Sequence, residues 1–340
     1  MTEQEIWQRL RCLESFDNVQ NWFHLIHNRE LNSRRTFEII STAKQAREFF
    51  KNAKQSDYSV RSLLTFYGIA CLSRTVTLLF KENGGEETLT KGHGLEVCDW
   101  SSVLSGDISE AIAKIGLLHV STCTGLFNDF LISTKNTLCL HISTSSVDWK
   151  IPYDIPELGN KISFGDLLSR VPDLSYDIQK ISPISHYSEI NKMSYRSDCG
   201  FKATIGKNTS ESLLNFYKEI GYTITMVGSS FELNGSSDLF CKKTPLFLHN
   251  YTNKMFSSIP RLNLVESLNG NYNYSEMGIC YLLAYFMGML SRYYPTHWIS
   301  LINGRKGDIY WPVINRTQNY LEMVFPELIV EFIQNELKKE

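Results

Sequence analysis

An arginine and a histidine stand close together just after the longest apolar stretch of this sequence. Arg292 and His297 are five positions apart in the segment Arg-Tyr-Tyr-Pro-Thr-His. A guanidinium group supplies a fixed charge that binds phosphate in a bidentate manner, and an imidazole with a pKa near neutrality transfers protons. Cleavage of RNA by its own 2′-hydroxyl needs a proton acceptor, a proton donor and charge stabilisation at the phosphorane. The pair therefore has the chemistry of a metal-independent ribonuclease.

Helix geometry leaves a structural interpretation of the same two residues open. Side chains five positions apart on an ideal α-helix point about 140° away from each other. Arg292 and His297 would converge only if Pro295 reshapes the turn or if a second subunit contributes one of them. The alternative is that Arg292 caps the C-terminal end of its helix, where cations are favoured, and that His297 is a partly buried packing residue.

Two further residues are candidate substrate contacts. Arg74 lies on an apolar face of the helix predicted over Arg61 to Phe80. It is either a second phosphate contact beside Arg292 or one half of a structural salt bridge. A buried arginine needs such a partner because its charge is costly to remove from water. His93 lies between two glycines and either approaches a ligand on a flexible loop or occupies a plain surface turn.

No metal or cofactor is predicted. The pairs His119-x3-Cys123 and Cys139-x-His141 lack a second ligand pair at zinc-binding spacing. The eight cysteines are scattered without a Cys-x-x-Cys pair, which is typical of reduced cysteines in a cytoplasmic protein. The longest apolar run, Ile279 to Leu290, is about half of the roughly 20 residues of a membrane span. We therefore expect a cytoplasmic protein with no membrane partner.

Composition indicates a globular chain without a global preference for nucleic acid. The 340 residues are 43% hydrophobic and 21% charged, which is ordinary for a folded domain. The formal net charge is −2. An RNA-binding role would therefore need a local basic patch, since the protein as a whole does not attract polyanions.

Helical periodicity occupies both ends of the chain. Residues 36 to 80 form two helices with a break at Ser56–Ser59, and the second, Arg61 to Phe80, is apolar on most faces and therefore central in a bundle. Near the other end, helices are predicted over Ser275 to Arg292, Pro295 to Ile302 and Pro326 to Leu337.

The middle of the chain has shorter apolar runs separated by Gly, Ser and Asn. Strands are predicted at Ile115 to Val120, Asn136 to Thr144, Tyr222 to Val227 and Leu239 to Lys242, with short helices at Phe164 to Arg170 and Glu211 to Ile220. We therefore predict an α+β fold that is mainly a helical bundle. Residues 1–97 and 276–340 form the bundle, and residues 98–275 form an inserted α/β region.

Several segments together resemble the bacterial YaaC-like family, whose function is poorly defined. The segments are Ala43-Lys-Gln-Ala-Arg-Glu-Phe-Phe50, Ser59-Val-Arg-Ser-Leu-Leu-Thr-Phe-Tyr-Gly68, His93-Gly-Leu95, Ile162-Ser-Phe-Gly-Asp-Leu-Leu-Ser-Arg-Val-Pro-Asp-Leu174 and Arg292-Tyr-Tyr-Pro-Thr-His-Trp298. They extend over about residues 36 to 300, which is most of the chain. This resemblance implies a family without implying an activity.

The helix pair over residues 36 to 80, followed at a distance by Arg292-x4-His297, also looks like a HEPN domain. HEPN domains are bundles of four to five helices found in toxin, antiphage and RNA-processing ribonucleases. The resemblance implies metal-independent RNA cleavage, usually across a homodimer. It makes Arg292 the phosphate-stabilising cation and His297 the general acid/base.

Two functions of different classes follow. The first is a HEPN-like ribonuclease, a toxin or antiphage effector. The second is a non-catalytic binding or scaffold protein that dimerises or holds a partner through its helical core. Tyr293 and Pro295, which depart from the usual HEPN motif, favour the second. The expected partners are RNA, a second copy of the chain and a protein of the same operon or defence system. The homodimer is predicted from the small-residue stripe Cys280, Ala284 and Gly288, and from the amphipathic terminal helix.

Overall fold

The computed structural model describes residues 1–138, 151–182, 186–243, 248–249, 263–268 and 272–338. The predicted strand over Asn136 to Thr144 lies partly outside these residues, and the pair Cys139-x-His141 lies wholly outside them.

The described residues form a mainly helical α+β fold, which confirms the predicted fold class. In chain order the α-helices are α1 (Glu3–Leu10), α2 (Phe16–His27), α3 (Ser33–Gln55), α4 (Tyr58–Phe80), α5 (Trp100–Val103), α6 (Ile108–Ile112), α7 (Leu126–Ser133), α8 (Phe164–Leu168), α9 (Ser175–Ile178), α10 (Glu211–Glu219), α11 (Ser237–Lys243), α12 (Glu276–Tyr293), α13 (Pro295–Ile302) and α14 (Trp311–Leu337). The strands are β1 (His93–Cys98), β2 (His119–Gly125), β3 (Thr137–Leu138), β4 (Ile151–Pro152), β5 (Lys161–Ser163), β6 (Tyr187–Arg196), β7 (Gly200–Gly206), β8 (Thr223–Val227), β9 (Ser230–Gly235), β10 (Leu248–His249) and β11 (Asn263–Val265). Single-turn 3-10 helices lie at Arg11–Glu14, Glu86–Thr88, Ile115–Leu117 and Pro172–Leu174.

The chain forms two compact units. The helical unit comprises Met1–Asn136, Ile155–Gly165 and Met277–Glu340, and the strand-rich unit comprises Thr137–Asp154 and Asp166–Glu276. Residues 98 to 136, which the sequence assigned to the inserted region, belong to the helical unit. They do so because β2 pairs with β1 and because α7 packs against α4.

Both chain ends share the core of the helical unit, as the sequence predicted. The ring of Phe66 on α4 lies 6.0 Å from Tyr281 and 5.5 Å from Tyr285, both on α12. At the other end of α12 the hydroxyl of Ser291 donates a hydrogen bond to the carbonyl oxygen of Ser59, at 3.0 Å. An apolar helix such as α4 is stable in this position because its neighbours cover it on several faces.

The small-residue stripe of α12 is used inside the chain. Cys280 and Ala284 are buried. A Cβ added at Gly288 would lie 2.8 Å from the Cβ of Phe66, so the two helices meet closely at this point. The stripe is therefore not free to contact a second copy, and it no longer supports the predicted homodimer.

We expect Gly288→Ala to destabilise the protein by about 1–3 kcal/mol, the usual cost of overpacking a core. The clash cannot be relieved by rotating a flexible side chain, since the Cβ of Phe66 is fixed to the α4 backbone. The measurement is the free energy of unfolding in urea. Gly206→Ala is the matched control, because a Cβ there meets nothing within 4 Å. Equal losses in the two variants would contradict this packing.

The terminal helix is longer than predicted. Helix α14 runs through Pro326 instead of beginning there, and a proline stands in its first turn at Pro312. Buried apolar residues continue on both sides of Pro326, from Val313 to Ile333. Their burial offsets the loss of the one backbone N–H that a proline lacks.

The strand-rich unit is built around a six-stranded antiparallel sheet with the order β10-β11-β6-β7-β9-β8. One face of β7 carries the buried residues Phe201, Ala203 and Ile205, which belong to one apolar cluster with Leu213 and Tyr217 of α10. The core of this unit therefore lies between the sheet and a helix.

Two of the predicted strands were wrong in type or extent. Residues Leu239 to Lys242 belong to helix α11, because the hydroxyl of Ser236 caps the N–H of Leu239 at 3.2 Å and begins a helix. The segment from Ile115 to Val120 begins as a single 3-10 turn, and the strand starts only at His119.

Helix α4 is long and apolar enough to cross a membrane by length and composition, but 67% of its most apolar window is buried inside the protein. Core helices of soluble proteins pass the same test, so this helix is weak evidence for a membrane span. Its burial agrees with a soluble protein.

Candidate functional site

Arg292 lies in the last turn of α12 with an exposed side chain. Its Nη1 donates a hydrogen bond of 2.7 Å to the hydroxyl oxygen of Tyr67 on α4. The guanidinium carbon also lies 5.1 Å from the ring centre of Tyr293, at a distance where a cation and an aromatic face attract each other. The charge of Arg292 is thereby held against α4 and remains accessible to a ligand.

His93 begins strand β1 and faces aromatic side chains. Its ring centre is 4.9 Å from Phe66, 6.4 Å from Tyr67 and 6.2 Å from Tyr285. Its carbonyl oxygen accepts a hydrogen bond of 3.0 Å from the hydroxyl of Tyr281. Within the described part of the chain, neither ring nitrogen of His93 has a hydrogen-bond partner. The imidazole is therefore positioned by its backbone and by ring packing, and its nitrogens are left for a ligand.

The glycine after His93 lets the strand approach its neighbour closely. Gly94 has φ of +80°, a conformation that side chains rarely adopt, and a Cβ there would lie 2.8 Å from the backbone nitrogen of Phe127. Neither the flexible loop nor the surface turn that the sequence suggested at His93 is present, because this residue begins β1 and pairs with Gly125 of β2.

Two arginines act on the imidazole of His93. Burial lowers its pKa below the ordinary value of 6.5, and the positive charges of Arg292 and Arg74 lower it further. Burial and the two charges therefore favour the neutral imidazole, which is the form that accepts a proton. We call Tyr67, Arg74, His93 and Arg292 the Arg–His cluster.

Arg74 is exposed, although its position in an apolar helix predicted a buried side chain. The side chain of Arg74 is 47% exposed, and its Nη1 lies 3.9 Å from the carboxylate of Glu86. An ion pair this long and this exposed adds little stability. Arg74 is therefore free to exchange Glu86 for an anionic ligand.

His297 has different partners from Arg292. It lies in α13, and its Nε2–H donates a hydrogen bond of 3.0 Å to the carbonyl oxygen of Leu104. Its ring packs edge-on against Tyr294, with the ring centres 5.9 Å apart. The structure thus places His93 and Arg292 against Tyr67, and Arg74 lies near enough to lower the pKa of His93. His297 instead contacts the segment at Leu104.

Tyr67 is a residue of the cluster that was not predicted from the sequence. It stands seven positions before Arg74, which places both residues on one face of α4. Its ring also stacks on Phe49 of α3, with the centres 5.6 Å apart and the planes inclined by 30°. The sequence could have indicated Tyr67, because it is an aromatic residue on the same helix face as Arg74, a candidate phosphate contact.

Among the described residues, no group of three His, Cys, Asp or Glu side chains could hold a metal ion. His119 and Cys123 both lie on β2 without a third ligand of this kind.

These features define a mainly helical α+β protein with a cationic cluster on its helical unit. The family model described as YaaC-like Protein matches residues 11–333, and the chain belongs to this family. No curated protein and no solved structure matches the chain.

Proposed function

We propose that this protein is a metal-independent ribonuclease that binds a phosphate of RNA at the Arg–His cluster. One observation carries the proposal. The ring of His93 packs against Tyr67, which accepts a hydrogen bond from Arg292 of α12, and the charges of Arg292 and of Arg74 on α4 help to lower the pKa of the imidazole. Arg292 keeps the role that the HEPN resemblance implied for it. The proton-transfer role passes from His297 to His93, because the contacts of His93 link it to Arg292 through Tyr67.

The proposed reaction needs only groups of the chain and of RNA. His93 accepts the proton of a 2′-hydroxyl, whose oxygen attacks the adjacent phosphorus. The guanidinium groups of Arg292 and Arg74 stabilise the negative charge that grows on the non-bridging oxygens. The bond to the 5′-oxygen breaks, and this oxygen leaves with a proton supplied by solvent or by His93 in its protonated form. The products are a 2′,3′-cyclic phosphate and a 5′-hydroxyl.

Tyr67 completes this arrangement. Its hydroxyl oxygen accepts a hydrogen bond from Arg292, so the hydroxyl proton is available to a phosphate oxygen. Phosphate binding also brings a negative charge close to His93, and this charge favours the protonated imidazole that the second proton transfer requires.

The wild-type protein is expected to cleave RNA in excess EDTA and to leave cyclic-phosphate ends. Arg292→Ala should lower the rate about 10²–10³-fold, the usual effect of removing a group that stabilises transition-state charge. Cleavage of a labelled single-stranded RNA measures both. The control is Arg9→Ala, which removes an exposed arginine paired with Glu5 elsewhere in the helical unit. Activity lost on adding EDTA, or retained in Arg292→Ala, would exclude the proposal.

A non-catalytic scaffold is the second candidate, favoured by apolar side chains exposed close to Arg292. Tyr293 and Val60 are 58% and 46% exposed. Ser291, two positions before Tyr293, donates a hydrogen bond to the carbonyl oxygen of Ser59, which precedes Val60. This surface could hold a second copy or a protein of the same operon or defence system. In that case Arg292→Ala would weaken the association, and a well-folded wild-type protein would leave RNA intact.

A cytoplasmic role as a toxin or antiphage effector would follow from RNA cleavage and from the HEPN resemblance. Expression of the wild-type protein should then arrest growth, and expression of Arg292→Ala should not.

A further inference from the structure

Strand β8 (Thr223–Val227) forms one edge of the six-stranded sheet in the strand-rich unit. Among the residues that the structure describes, it pairs with β9 on one side only. Met226 and Val227 are 70% and 56% exposed. Its register against β9 is continuous, from Thr223 opposite Asn234 to Val227 opposite Ser230, without a bulge. An exposed edge of this kind is a template for another strand.

The strand lacks a charged residue, a proline and a bulge, three features that often protect an edge from pairing. Its sequence, Thr-Ile-Thr-Met-Val, contains no charge and no proline. The polar residues on it are threonines, which pair well across strands. We propose that β8 binds β8 of a second copy of this chain in an antiparallel manner, which joins the two sheets about a twofold axis at Thr225.

The backbone geometry selects this register. The two-residue turn at Gly228 and Ser229 makes Val227 and Ser230 a hydrogen-bonded pair, and such pairs alternate along an antiparallel ladder. The N–H and C=O groups of Thr223 and Thr225 therefore point to β9, and those of Ile224 and Met226 point away from it. With Thr225 on the axis, Ile224 lies opposite Met226 of the second copy and exchanges both hydrogen bonds with it.

The side chains agree with the same register. Ile224 packs against the apolar cluster of this unit, and Met226, two positions later, lies on the same face of the sheet. Each Met226 would cover Ile224 of the other copy and extend that apolar face across the axis. On the opposite face Thr223 would meet Val227 of the other copy. A twofold interface requires this self-complementarity of a single patch.

The proposal is tested by cross-linking the full-length protein. Thr225 and its counterpart in the second copy would form a non-hydrogen-bonded antiparallel pair. The Cα atoms of such a pair are about 4.5 Å apart, within the range that a disulfide spans. Thr225→Cys should therefore form a disulfide-linked dimer under mild oxidation. Thr223→Cys is the matched control, because it faces Val227 of the other copy instead of itself. The wild-type chain supplies the background from its own cysteines, of which Cys199 is exposed.

A second pair of variants tests the interface without oxidation. Thr225→Lys places two like charges opposite each other on the axis and should raise the dissociation constant of the dimer about tenfold. Thr223→Lys should have a smaller effect. Light scattering against protein concentration measures both, and circular dichroism verifies that the variants are folded.

Three results would overturn the proposal: a wild-type protein that stays monomeric, a dimer unaffected by Thr225→Lys, or equal cross-linking of the two cysteine variants. A dimer that instead dissociates on substitution of Tyr293 would indicate the surface near Arg292. None of these outcomes depends on RNA cleavage, so the proposed activity stands or falls separately.

Discussion

Replacing His93 with glutamine is expected to lower the rate of RNA cleavage about 10²–10⁴-fold, the range for loss of a general acid/base. Glutamine keeps a polar side chain of similar length but cannot take up a proton. His297→Gln should have a much smaller effect, since its amide can still donate to the carbonyl of Leu104. The comparison separates the histidine that the structure places near Arg292 from the one that the sequence spacing suggested.

The pH profile of this reaction gives a second measurement. The pKa of His93 is lowered by burial, by Arg292 and by Arg74, so kcat/KM should fall on the acid side only below pH 6.5. Arg74→Ala removes one of the positive charges that disfavour the imidazolium. The acid limb of its residual activity should therefore move upward, toward the ordinary histidine value.

A limb that stays in place in Arg74→Ala would show that His93 is not the titrating group. If His297→Gln loses as much activity as His93→Gln, the proton-transfer role belongs to His297 after all. Thermal unfolding of each variant shows whether a loss of rate reflects the site or the fold.

The residue types of the site could be predicted from the sequence, but their grouping could not. Arg74, His93 and Arg292 were each identified as candidates by type and local context. They come from α4, β1 and α12, which meet where the ring of Phe66 packs against His93, Tyr281 and Tyr285. The short spacing from Arg292 to His297 was the visible signal. It was a weak guide to contact because Pro295 begins a new helix between them.

Helix prediction succeeded where one periodic pattern was long. Helices α3, α4 and α12 bury apolar residues at regular steps over several turns, so their positions followed from the sequence. Short apolar runs were ambiguous. Leu239 to Lys242 has the composition of a strand, and the capping hydroxyl of Ser236 decides in favour of a helix. Such a local hydrogen bond is visible only once its geometry is known.

A buried polar network could not be predicted from the sequence, because its members lie far apart in the chain, on α4 and α14. The carboxylate of Glu322 on α14 accepts hydrogen bonds from Arg61 at 2.9 and 2.5 Å and from Thr65 at 3.0 Å. The amide of Gln318 donates to the same carboxylate at 2.7 Å and accepts a hydrogen bond from Ser62 at 2.7 Å. Only 2% of the Glu322 side chain is exposed, so its charge depends on these partners.

Glu322→Ala is therefore expected to destabilise the protein by about 3–5 kcal/mol, the usual cost of leaving one member of a buried ion pair without its partner. Only 15% of the Arg61 side chain is exposed. In the variant its guanidinium would therefore remain largely out of water and would have lost its counter-charge. Urea unfolding measures the loss. Glu5→Ala is the control, because it removes an exposed ion pair with Arg9 and should change the free energy of unfolding by less than about 1 kcal/mol.

Removing Arg61 as well should recover part of the loss, since the double variant Arg61→Ala/Glu322→Ala leaves no unpaired charge between α4 and α14. The sum of the losses of unfolding free energy in the two single variants should therefore exceed the loss in the double variant by more than about 1 kcal/mol, as expected for residues in direct contact. Strictly additive losses would mean that the pair contributes nothing beyond the packing of its side chains. In that case the stability of this region would rest on the apolar contacts of α14 alone.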